Sequence, residues 1–497
     1  MQERTVRDAL GEVTIPPGAL WGAATQRAVA NFPISGLRMP AEMIAAIALV
    51  KREAAATNAD LGLLDRPRAQ AIAAAAGEVI RGEHADQFPV DVFQTGSATS
   101  TNMNVNEVIA TLASRALGQP VHPNDHVNRG QSSNDVIPTA MQVAACLAIR
   151  DRLLPALVDL EAALAARALE FDDVVKSGRT HLMDATPIRL GQELAGYAAQ
   201  IRHAIRRVGQ ASDDMAELPL GGTAVGTGVA THPAFAARTI AALSEALGIP
   251  FVEATDHVER QATRDTVVFA HGALVTLAVS LTKITTDLRL MGSGPRAGLG
   301  EITLAALQPG SSVMPGKVNP VIPEAVAMVA AQVMGNQATV TVCGASGQLE
   351  LNVMMPLMAH ALLQSVTILA TGCRALAGCV RGLSANRDRA RDLVARNLSL
   401  GTALAPVIGY DAAADLAREA LRTDRTVAEV ARERAVLPGA VLDHLLDPVA
   451  LTRPGRPEDL ALDVPGPAGS GSDQPGDATP AGQETPSAQG PRMTPRP

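Results

Sequence analysis

Residues 310–320 read Gly310-Ser-Ser-Val-Met-Pro-Gly-Lys-Val-Asn-Pro320, and this stretch carries the strongest signal in the 497-residue sequence. Its glycines and prolines alone would predict a plain connector before the helical pattern that starts at Pro323. A connector does not need two adjacent hydroxyls, an amide and a lysine. Lysine is also rare here, since only four of the 42 basic residues are lysine, at positions 51, 176, 283 and 317. The composition of this stretch therefore indicates a functional loop.

Long helical patterns lie on both sides of this loop. They exceed the length of strands, and nowhere do strands alternate with helices as a βαβ unit would require. Because several are apolar on more than one face, they predict an all-α bundle that extends across subunits. Polar loops separate the helices, and one such loop is expected at residues 177–186. The main helical patterns cover residues 42–61, 66–80, 104–117, 138–169, 188–207, 235–247, 265–291, 323–342 and 356–376.

The composition argues against several classes of partner. A net charge of −8 leaves no basic excess for nucleic acid or for an anionic membrane surface. The longest apolar segments are interrupted by polar residues and fall short of the roughly 18 apolar residues that predict a membrane span. Four cysteines stand without CxxC or Cys/His spacing. They predict reduced core residues of a cytoplasmic protein rather than a disulfide framework or a zinc site.

Four further segments, each taken alone, do not settle what they do. In Ser177-Gly-Arg-Thr-His-Leu-Met-Asp-Ala-Thr-Pro187, the histidine is as readily structural as catalytic. The His, Asp and Asn residues of 122–135 suggest metal ligands, but their spacing fits no compact zinc pattern. Residues 96–107 are typical of a Ser/Thr-rich cap that leads into a helix. The glycine-rich segment 221–228 suggests a nucleotide loop, yet no GK[ST] follows it and no strand precedes it.

Taken together, these segments resemble motifs of the fumarase/aspartase superfamily in the correct order. Residues 310–320 match its GSSxMPxKxNP signature, and residues 178–187 match its GRTHLxDATP segment. Residues 122–135 match HPNDxVNxxQSSND, and residues 96–108 match GSGTxxNMNxNEV with one substitution. The resemblance covers about residues 11–447. It implies a three-domain helical protomer, four of which form a tetramer whose active sites each combine three chains, with no metal and no organic cofactor.

The domain organisation follows from the resemblance and from the composition. An N-terminal domain is expected at residues 1–131, the central helical bundle at 132–385 and a small helical C-terminal domain at 386–449. Residues 450–497 are rich in proline and contain no aromatic residue, which predicts a disordered tail outside the fold.

The resemblance assigns roles to individual residues. Ser311, as an alkoxide, is the implied base that takes the proton from carbon 3 of malate, which requires activation by loop N–H groups and by Lys317. His181 takes part in proton transfer, with Glu324 as its implied acidic partner. A carboxylate just after Pro323 would also stabilise the first turn of any helix. The implied substrate-binding residues are Ser97, Ala98, Thr99, Ser132, Ser133, Asn134, Thr180, Ser312, Lys317, Val318 and Asn319.

Two departures from the family pattern bear on these assignments. A secondary dicarboxylate site is implied at His122, Pro123, Asn124 and Asp125. The arginine that usually stands three residues before this histidine is Gln119 here. Ala98 replaces a usual glycine, and its Cβ is expected to tighten the pocket or perturb the backbone.

Fumarate hydratase and aspartate ammonia-lyase share this loop chemistry, so the choice between them depends on other positions. Gln131-Ser-Ser-Asn-Asp135 and Gly96-Ser-Ala-Thr99 favour a fumarase, since aspartases tend to carry Gln-Ser-Thr-Asn-Asp and Gly-Ala-Gly-Thr. The expected activity is the reversible hydration of fumarate to L-malate by a cytoplasmic homotetramer. An aspartate ammonia-lyase is one alternative. A catalytically silent structural or binding protein on the same scaffold is the other, and the intact set of motif residues disfavours it.

Overall fold

Helices make up nearly all of the regular structure, which confirms the predicted all-α class. The computed structural model describes residues 4–455. The helices are α1 (Ala23–Asn31), α2 (Ala41–Asp60), α3 (Arg66–Ile80), α4 (Thr99–Leu117), α5 (Ser133–Ala148), α6 (Leu154–Glu170), α7 (Leu190–Asp214), α8 (Phe235–Leu247), α9 (His257–Ala262), α10 (Asp265–Met291), α11 (Val321–Gly344), α12 (Met355–Arg381), α13 (Arg387–Ala395), α14 (Ala405–Ile408), α15 (Tyr410–Thr423), α16 (Val427–Glu433) and α17 (Gly439–Leu445).

The strands are short and occur only in pairs within the described residues. They are β1 (Arg4–Asp8), β2 (Gly11–Ile15), β3 (Val175–Thr180), β4 (Met183–Arg189), β5 (Glu217–Leu218), β6 (Val252–Glu253), β7 (Ile302–Thr303), β8 (Gly347–Gln348), β9 (Leu351–Asn352) and β10 (Ser384–Ala385). The pairs are β1–β2, β3–β4, β5–β6, β7–β10 and β8–β9. The prediction of a loop at residues 177–186 is wrong, because most of these residues belong to the antiparallel hairpin β3–β4.

The contacts divide the chain after Ala395 into two units. In the larger unit, α6, α7, α10, α11 and α12 pack side by side around a core of Leu, Val, Ile, Met and Ala side chains. The smaller unit has its own core of residues from α14 to α17, including Leu416 and Val430. The division of the chain into 1–131, 132–385 and 386–449 remains a prediction. Most of the expected tail, residues 456–497, lies outside the described residues.

One long helix predicted at 138–169 is interrupted in the structure. α5 ends at Ala148, a π-helical turn covers Ile149–Leu153, and α6 begins at Leu154. Pro155 stands in the first turn of α6 and has no N–H to donate to the preceding turn. The wider π-helical turn accommodates this missing hydrogen bond. By contrast, α10 begins and ends at the residues predicted from its apolar pattern.

The bundle has two ends that are far apart. The amide of Met355, at the start of α12, donates to the Gly96 carbonyl. Asn352 donates to the carbonyl of Cys343, so the last turn of α11 also lies at this end. At the other end, β10 follows α12 directly and pairs with β7. Since α12 has 27 residues, the two ends are separated by about 40 Å. We call them the amino end and the carboxyl end of α12.

Three helices of the bundle are long and apolar enough to cross a membrane by length and composition alone. They are α10, α11 and α12, which extend beyond the uninterrupted apolar segments of the sequence. In the structure they pack on one another, and 56% of the apolar window of α10 and of α12 is buried within the chain. The corresponding share in α11 is 33%. Packing inside the bundle accounts for the apolar character of α10 and α12. Most of the apolar window of α11, by contrast, is not buried within the single chain.

The four cysteines lie in the described part of the chain and agree with the prediction. They are Cys146, Cys343, Cys373 and Cys379, and each is free and buried. Burial raises the pKa of the Cys146 and Cys373 thiols to about 12. A thiol in such surroundings stays protonated and inert at neutral pH.

Candidate active site

Three hydroxyls from two motifs meet at the amino end of α12. The Ser97 Oγ lies 2.9 Å from the Thr99 Oγ1, which in turn lies 2.6 Å from the Ser133 Oγ. Thr99 is the first residue of α4, and Ser133 is the first residue of α5. Two helix N-termini, with their positive dipole ends, favour a bound anion. This hydroxyl cluster, Ser97, Thr99 and Ser133, is therefore suited to a carboxylate.

A capping box fixes the segment that carries Ser133. The Ser132 side chain accepts from the Asn134 N–H, and the Asp135 carboxylate accepts from the Ser132 N–H at 2.9 Å. The Asn134 side-chain amide donates to the Ala224 carbonyl at 2.8 Å, which joins this segment to the glycine-rich loop. Ala98, which caps α4, has a φ of 55° and is buried. A left-handed backbone costs an alanine on the order of 1 kcal/mol compared with glycine, so the substitution strains the backbone as expected.

Asp135 is a buried carboxylate that connects three segments. Besides Ser132, its side chain accepts from the N–H groups of Gly221 and Thr223, both at 3.0 Å. Burial raises the pKa of Asp135 to about 6, despite these hydrogen bonds and the nearby Lys51. Burial also lowers the pKa of Lys51 to about 7, and the attraction of Asp135 opposes this shift. The two groups attract each other at longer range, without a direct contact in the described part of the chain.

The signature loop at 310–320 places two backbone donors on Ser311. Its Oγ accepts from the N–H of Val313 at 3.1 Å and of Met314 at 3.0 Å. Such donors stabilise an oxyanion more than a neutral hydroxyl. A Cβ at Gly310 would lie 2.7 Å from the Lys317 carbonyl oxygen, so this position needs glycine for close approach rather than for flexibility. The loop geometry favours the alkoxide form of Ser311.

The other residues of this loop are largely open to solvent in the single chain. Lys317 is exposed, and its backbone carbonyl accepts from the Gly310 N–H at 2.7 Å. The Asn319 amide donates to the Gly310 carbonyl at 2.8 Å. One of its two N–H groups therefore closes the loop, while the other can serve a ligand. Ser312 and Val318 are also exposed.

His181 stands at the tip of the hairpin β3–β4. It and Leu182 form the two-residue turn, with φ of 57° and 62°, and both side chains are exposed. Turns of this kind usually contain Asn or Gly, because other residues are strained at positive φ. Thr180 closes the hairpin opposite Met183 and is exposed too. A strained and exposed histidine indicates a functional position rather than a packing position.

Buried ion pairs hold the base of this hairpin. Arg179 binds Glu301 through two hydrogen bonds of 3.0 Å, and Glu301 is almost fully buried. Lys176, also buried, lies 3.2 Å from the Glu193 carboxylate and 3.4 Å from that of Glu301. Bidentate and charge-assisted contacts of this kind fix geometry strongly. The hairpin therefore presents the exposed His181 at the tip of a rigidly held base.

A single chain does not bring all the predicted site residues together. Glu301 directly precedes β7, so the hairpin base belongs to the carboxyl end of α12. The start of α11 lies at this end too, because α11 packs along α12 and its last turn lies at the amino end. The hydroxyl cluster belongs to the amino end, about 40 Å away. Within residues 4–455, no hydrogen bond or ion pair joins His181 to Glu324, or either of them to Ser311. One chain thus holds the predicted site residues in two separate groups.

The comparisons with known proteins agree on one family. Residues 11–335 match a family described as lyase, and residues 400–453 match one described as fumarase C C-terminus. The chain is 51% identical over 458 residues to a class II fumarate hydratase of Nitrosomonas europaea, covering 91% of this chain and 99% of that relative. It is 52% identical over 453 residues to one of Xylella fastidiosa, covering 91% and 96%. The crystal structure of a class II fumarase from Schistosoma mansoni matches with a TM-score of 0.88 at 37% identity, covering 91% and 99%.

The chain belongs to the class II fumarase family. Its helical bundle and its motifs are those of this family, and the resemblance inferred from the sequence is confirmed. The roles assigned to individual residues remain predictions.

The segment implied as a second dicarboxylate site forms a π-helical turn in this class II fumarase. The turn covers Pro123–Val127, and the His122 side chain accepts from the Asp125 N–H at 3.1 Å. Two cavities, of about 670 Å³ and 570 Å³, lie beside this turn, and Asn124 lines both. Neither is lined by Ser311 or His181. The function of this segment remains a prediction.

The sequence analysis did not find the residues behind the hydroxyl cluster. The buried Lys51 forms a polar network with the partly buried Asn128 and Gln131 next to Ser132, and the sequence analysis gives none of the three an individual role. A signal was present, because Lys51 is one of four lysines in a chain that otherwise uses arginine. Its position in a helix far from the motifs hid the connection, which exists only in the folded chain.

Proposed function

We propose that this class II fumarase catalyses the reversible hydration of fumarate to L-malate, as a cytoplasmic homotetramer of the tricarboxylic acid cycle. The observation that carries the proposal is the pair of backbone N–H groups on the Ser311 Oγ. A serine hydroxyl is a poor base in water. Fixed donors in a site closed to solvent make its alkoxide accessible at neutral pH.

The elimination of water from malate follows from these groups. The Ser311 alkoxide takes the proton from carbon 3, and the electron pair of that C–H bond moves into the adjacent carboxylate. The resulting aci-carboxylate carries two negative charges, which the Lys317 ammonium and the Asn319 amide stabilise. The bond from carbon 2 to its hydroxyl then breaks, and His181 gives its proton to the leaving group. Fumarate and water result, and hydration follows the same steps in reverse.

Substrate binding is the proposed role of the other end of the molecule. The hydroxyl cluster at the start of α4 and α5 would bind one substrate carboxylate, with Asn134 as a further donor. Thr180 would add a donor from the hairpin at the carboxyl end of α12. These hydroxyls can turn their O–H bonds from one another to the carboxylate, because each is either donor or acceptor in the present contacts. They would bind one end of malate in a site that Ser311 from another chain completes.

The separation of the two groups of predicted site residues supports a site that is completed between chains. Antiparallel packing of bundles from different copies would bring the carboxyl end of α12 in one chain to its amino end in another. The apolar side chains outside the bundle support such packing. Met328 and Val342 of α11 are 68% and 61% exposed in the single chain, and Phe269 of α10 is 55% exposed. Apolar surface on several long helices is typical of an obligate interface.

The reaction can be tested with two substrates of the same scaffold. Purified protein incubated with L-malate is expected to form fumarate, which is followed by its ultraviolet absorbance. Incubation with L-aspartate under the same conditions is expected to give no signal. Fumarate from aspartate alone would show an ammonia-lyase instead, and no signal from either substrate would show a catalytically silent scaffold.

A further inference from the structure

A network of side-chain amides around one buried ammonium joins the segments that carry the hydroxyl cluster. Lys51 of α2 is fully buried, and its Nζ donates to the Asn128 Oδ1 at 2.7 Å and to the Gln131 Oε1 at 3.0 Å. The same Asn128 oxygen accepts from the side-chain amides of Asn102 and Asn106 of α4, both at 3.2 Å. We call these five residues the amide hub. Three donors from two helices thus converge on one oxygen atom.

The hub also fixes the backbone turn that leads to Ser132. The Asn128 Nδ2 donates to the Gln131 carbonyl at 3.1 Å, and the Gln131 Nε2 donates to the Val127 carbonyl at 3.1 Å. The two amides therefore hold the turn from both sides. Lys51 orients both amides, because it binds the oxygen atom of each.

The hub reaches the hydroxyl cluster along two routes. The turn ends at Gln131, and Ser132 and Ser133 follow directly as the cap and first residue of α5. On the other route, Asn102 lies three residues after Thr99 in α4 and Asn106 lies one turn further, so all three share a helix face. The hub therefore joins the two helix starts whose hydroxyls lie 2.6 Å apart.

A purely structural role would not need a charge at this position. Among the described residues Lys51 has no ion-pair partner, and only the longer-range attraction of Asp135 offsets its burial. Replacing a buried charge by an apolar side chain of similar volume is often neutral or stabilising. Asn102 and Asn106 also leave their own buried Oδ1 atoms without a partner. The free-energy cost of burying this charge and these unpaired oxygen atoms indicates a function beyond packing.

We propose that Lys51 is a positioning residue for substrate binding in this enzyme. Through Asn128 and Gln131, it would hold the starts of α4 and α5 so that the Thr99 and Ser133 hydroxyls converge on one substrate carboxylate. This inference rests on the proposed function. Lys51 itself is buried behind the cluster and has no direct contact with substrate in this account.

The kinetic consequence follows from where the cluster acts. Misplaced hydroxyls weaken binding of the ground state and of the transition state alike, because the carboxylate is present in both. Loss of such uniform binding raises KM and leaves kcat nearly unchanged. Damage to the loop with Ser311 would instead lower kcat.

The experiment compares hub variants with a matched control in the L-malate assay. We expect Lys51→Met, which keeps the side-chain length but removes the donors, to raise KM at least about tenfold with kcat within about threefold of the wild type. Lys51→Gln, which restores an uncharged donor, should recover part of the loss. Asn106→Ala removes one donor of the hub and should raise KM to a smaller extent.

The matched control is Asn104→Ala. Asn104 is equally buried in α4, but its amide donates to the Gln87 carbonyl at 2.9 Å and lies outside the hub. This variant is expected to lower thermal stability while its KM stays at the wild-type value. A wild-type KM in Lys51→Met, or an equal rise in Asn104→Ala, would overturn the proposal.

Two further outcomes also decide the question. If Lys51→Met does not fold, Asn106→Ala and Lys51→Gln give the result, and wild-type KM values in both would overturn the proposal. If the wild type itself does not convert malate, the proposed function fails, and this result is distinct from a normal wild type with unaffected variants.

Discussion

Replacement of Ser311 by alanine is expected to lower kcat for malate by about 10³-fold, because it removes the base that takes the carbon 3 proton. The substitution removes one partly exposed hydroxyl that accepts from the N–H groups of Val313 and Met314. Val313 and Met314 are exposed residues in the single chain, so water is expected to replace the lost acceptor. Fold and oligomeric state should therefore persist. Initial rates of fumarate formation, circular dichroism and size-exclusion chromatography measure the three quantities.

Ser312→Ala provides the comparison for this variant. It removes the neighbouring hydroxyl from the same loop, and in the structure Ser312 is exposed. We expect it to act mainly on KM and to keep kcat within about tenfold of the wild type. A Ser311→Ala enzyme that retains the wild-type kcat would remove Ser311 as the base, whatever the effect of Ser312→Ala.

His181→Asn is expected to lower kcat by about 10²-fold through the loss of proton transfer to the leaving group. Asparagine is the suitable replacement because it tolerates the left-handed backbone of the hairpin tip, where φ is 57°. The side chain is exposed and makes no hydrogen bond within the described residues. The free energy of unfolding should therefore change by less than about 0.5 kcal/mol.

The stability measurement separates the two explanations of this histidine. An inactive variant with an unchanged melting temperature supports the catalytic role. A variant that melts well below the wild type would show that His181 is a structural residue, and one with normal kcat would exclude it from the proton transfer.

The sequence predicted the helices of the bundle well where a single physical signal controls them. The helical apolar pattern of α10 continues over its full length, and its observed ends, Asp265 and Met291, are the predicted ones. The break between α5 and α6 was missed because both sides of the π-helical turn continue the same apolar pattern. The hairpin β3–β4 was missed for a different reason. Its strands lack alternating apolar residues, and its turn contains His181 and Leu182 instead of Asn and Gly.

In the candidate site, too, some features could be predicted from local sequence and others could not. The N–H donors to Ser311 were predicted, because the loop that contains it also supplies them. The activation of Ser311 by Lys317 stays a prediction. The amide hub was not predicted, since its contacts join residues 77 and 80 positions apart in the chain. Side-chain networks across such separations depend on packing that no local pattern encodes. The distance between the two groups of predicted site residues could not be predicted either, because it depends on the antiparallel arrangement of α11 and α12.

The central claim is that Ser311 and the hydroxyl cluster of one active site come from different chains. Its most direct test is to express Ser311→Ala together with a double variant, Thr99→Ala and Ser133→Ala, each chain with its own affinity tag. The mixed oligomers are purified through both tags and assayed at malate concentrations below the wild-type KM. In mixed tetramers some sites receive both the native Ser311 and a native cluster, and random assembly gives about one quarter of such sites. The account predicts that the mixed oligomers recover a comparable fraction of wild-type turnover, whereas each variant alone is nearly inactive. Doubly tagged oligomers that stay as inactive as the single variants would contradict it.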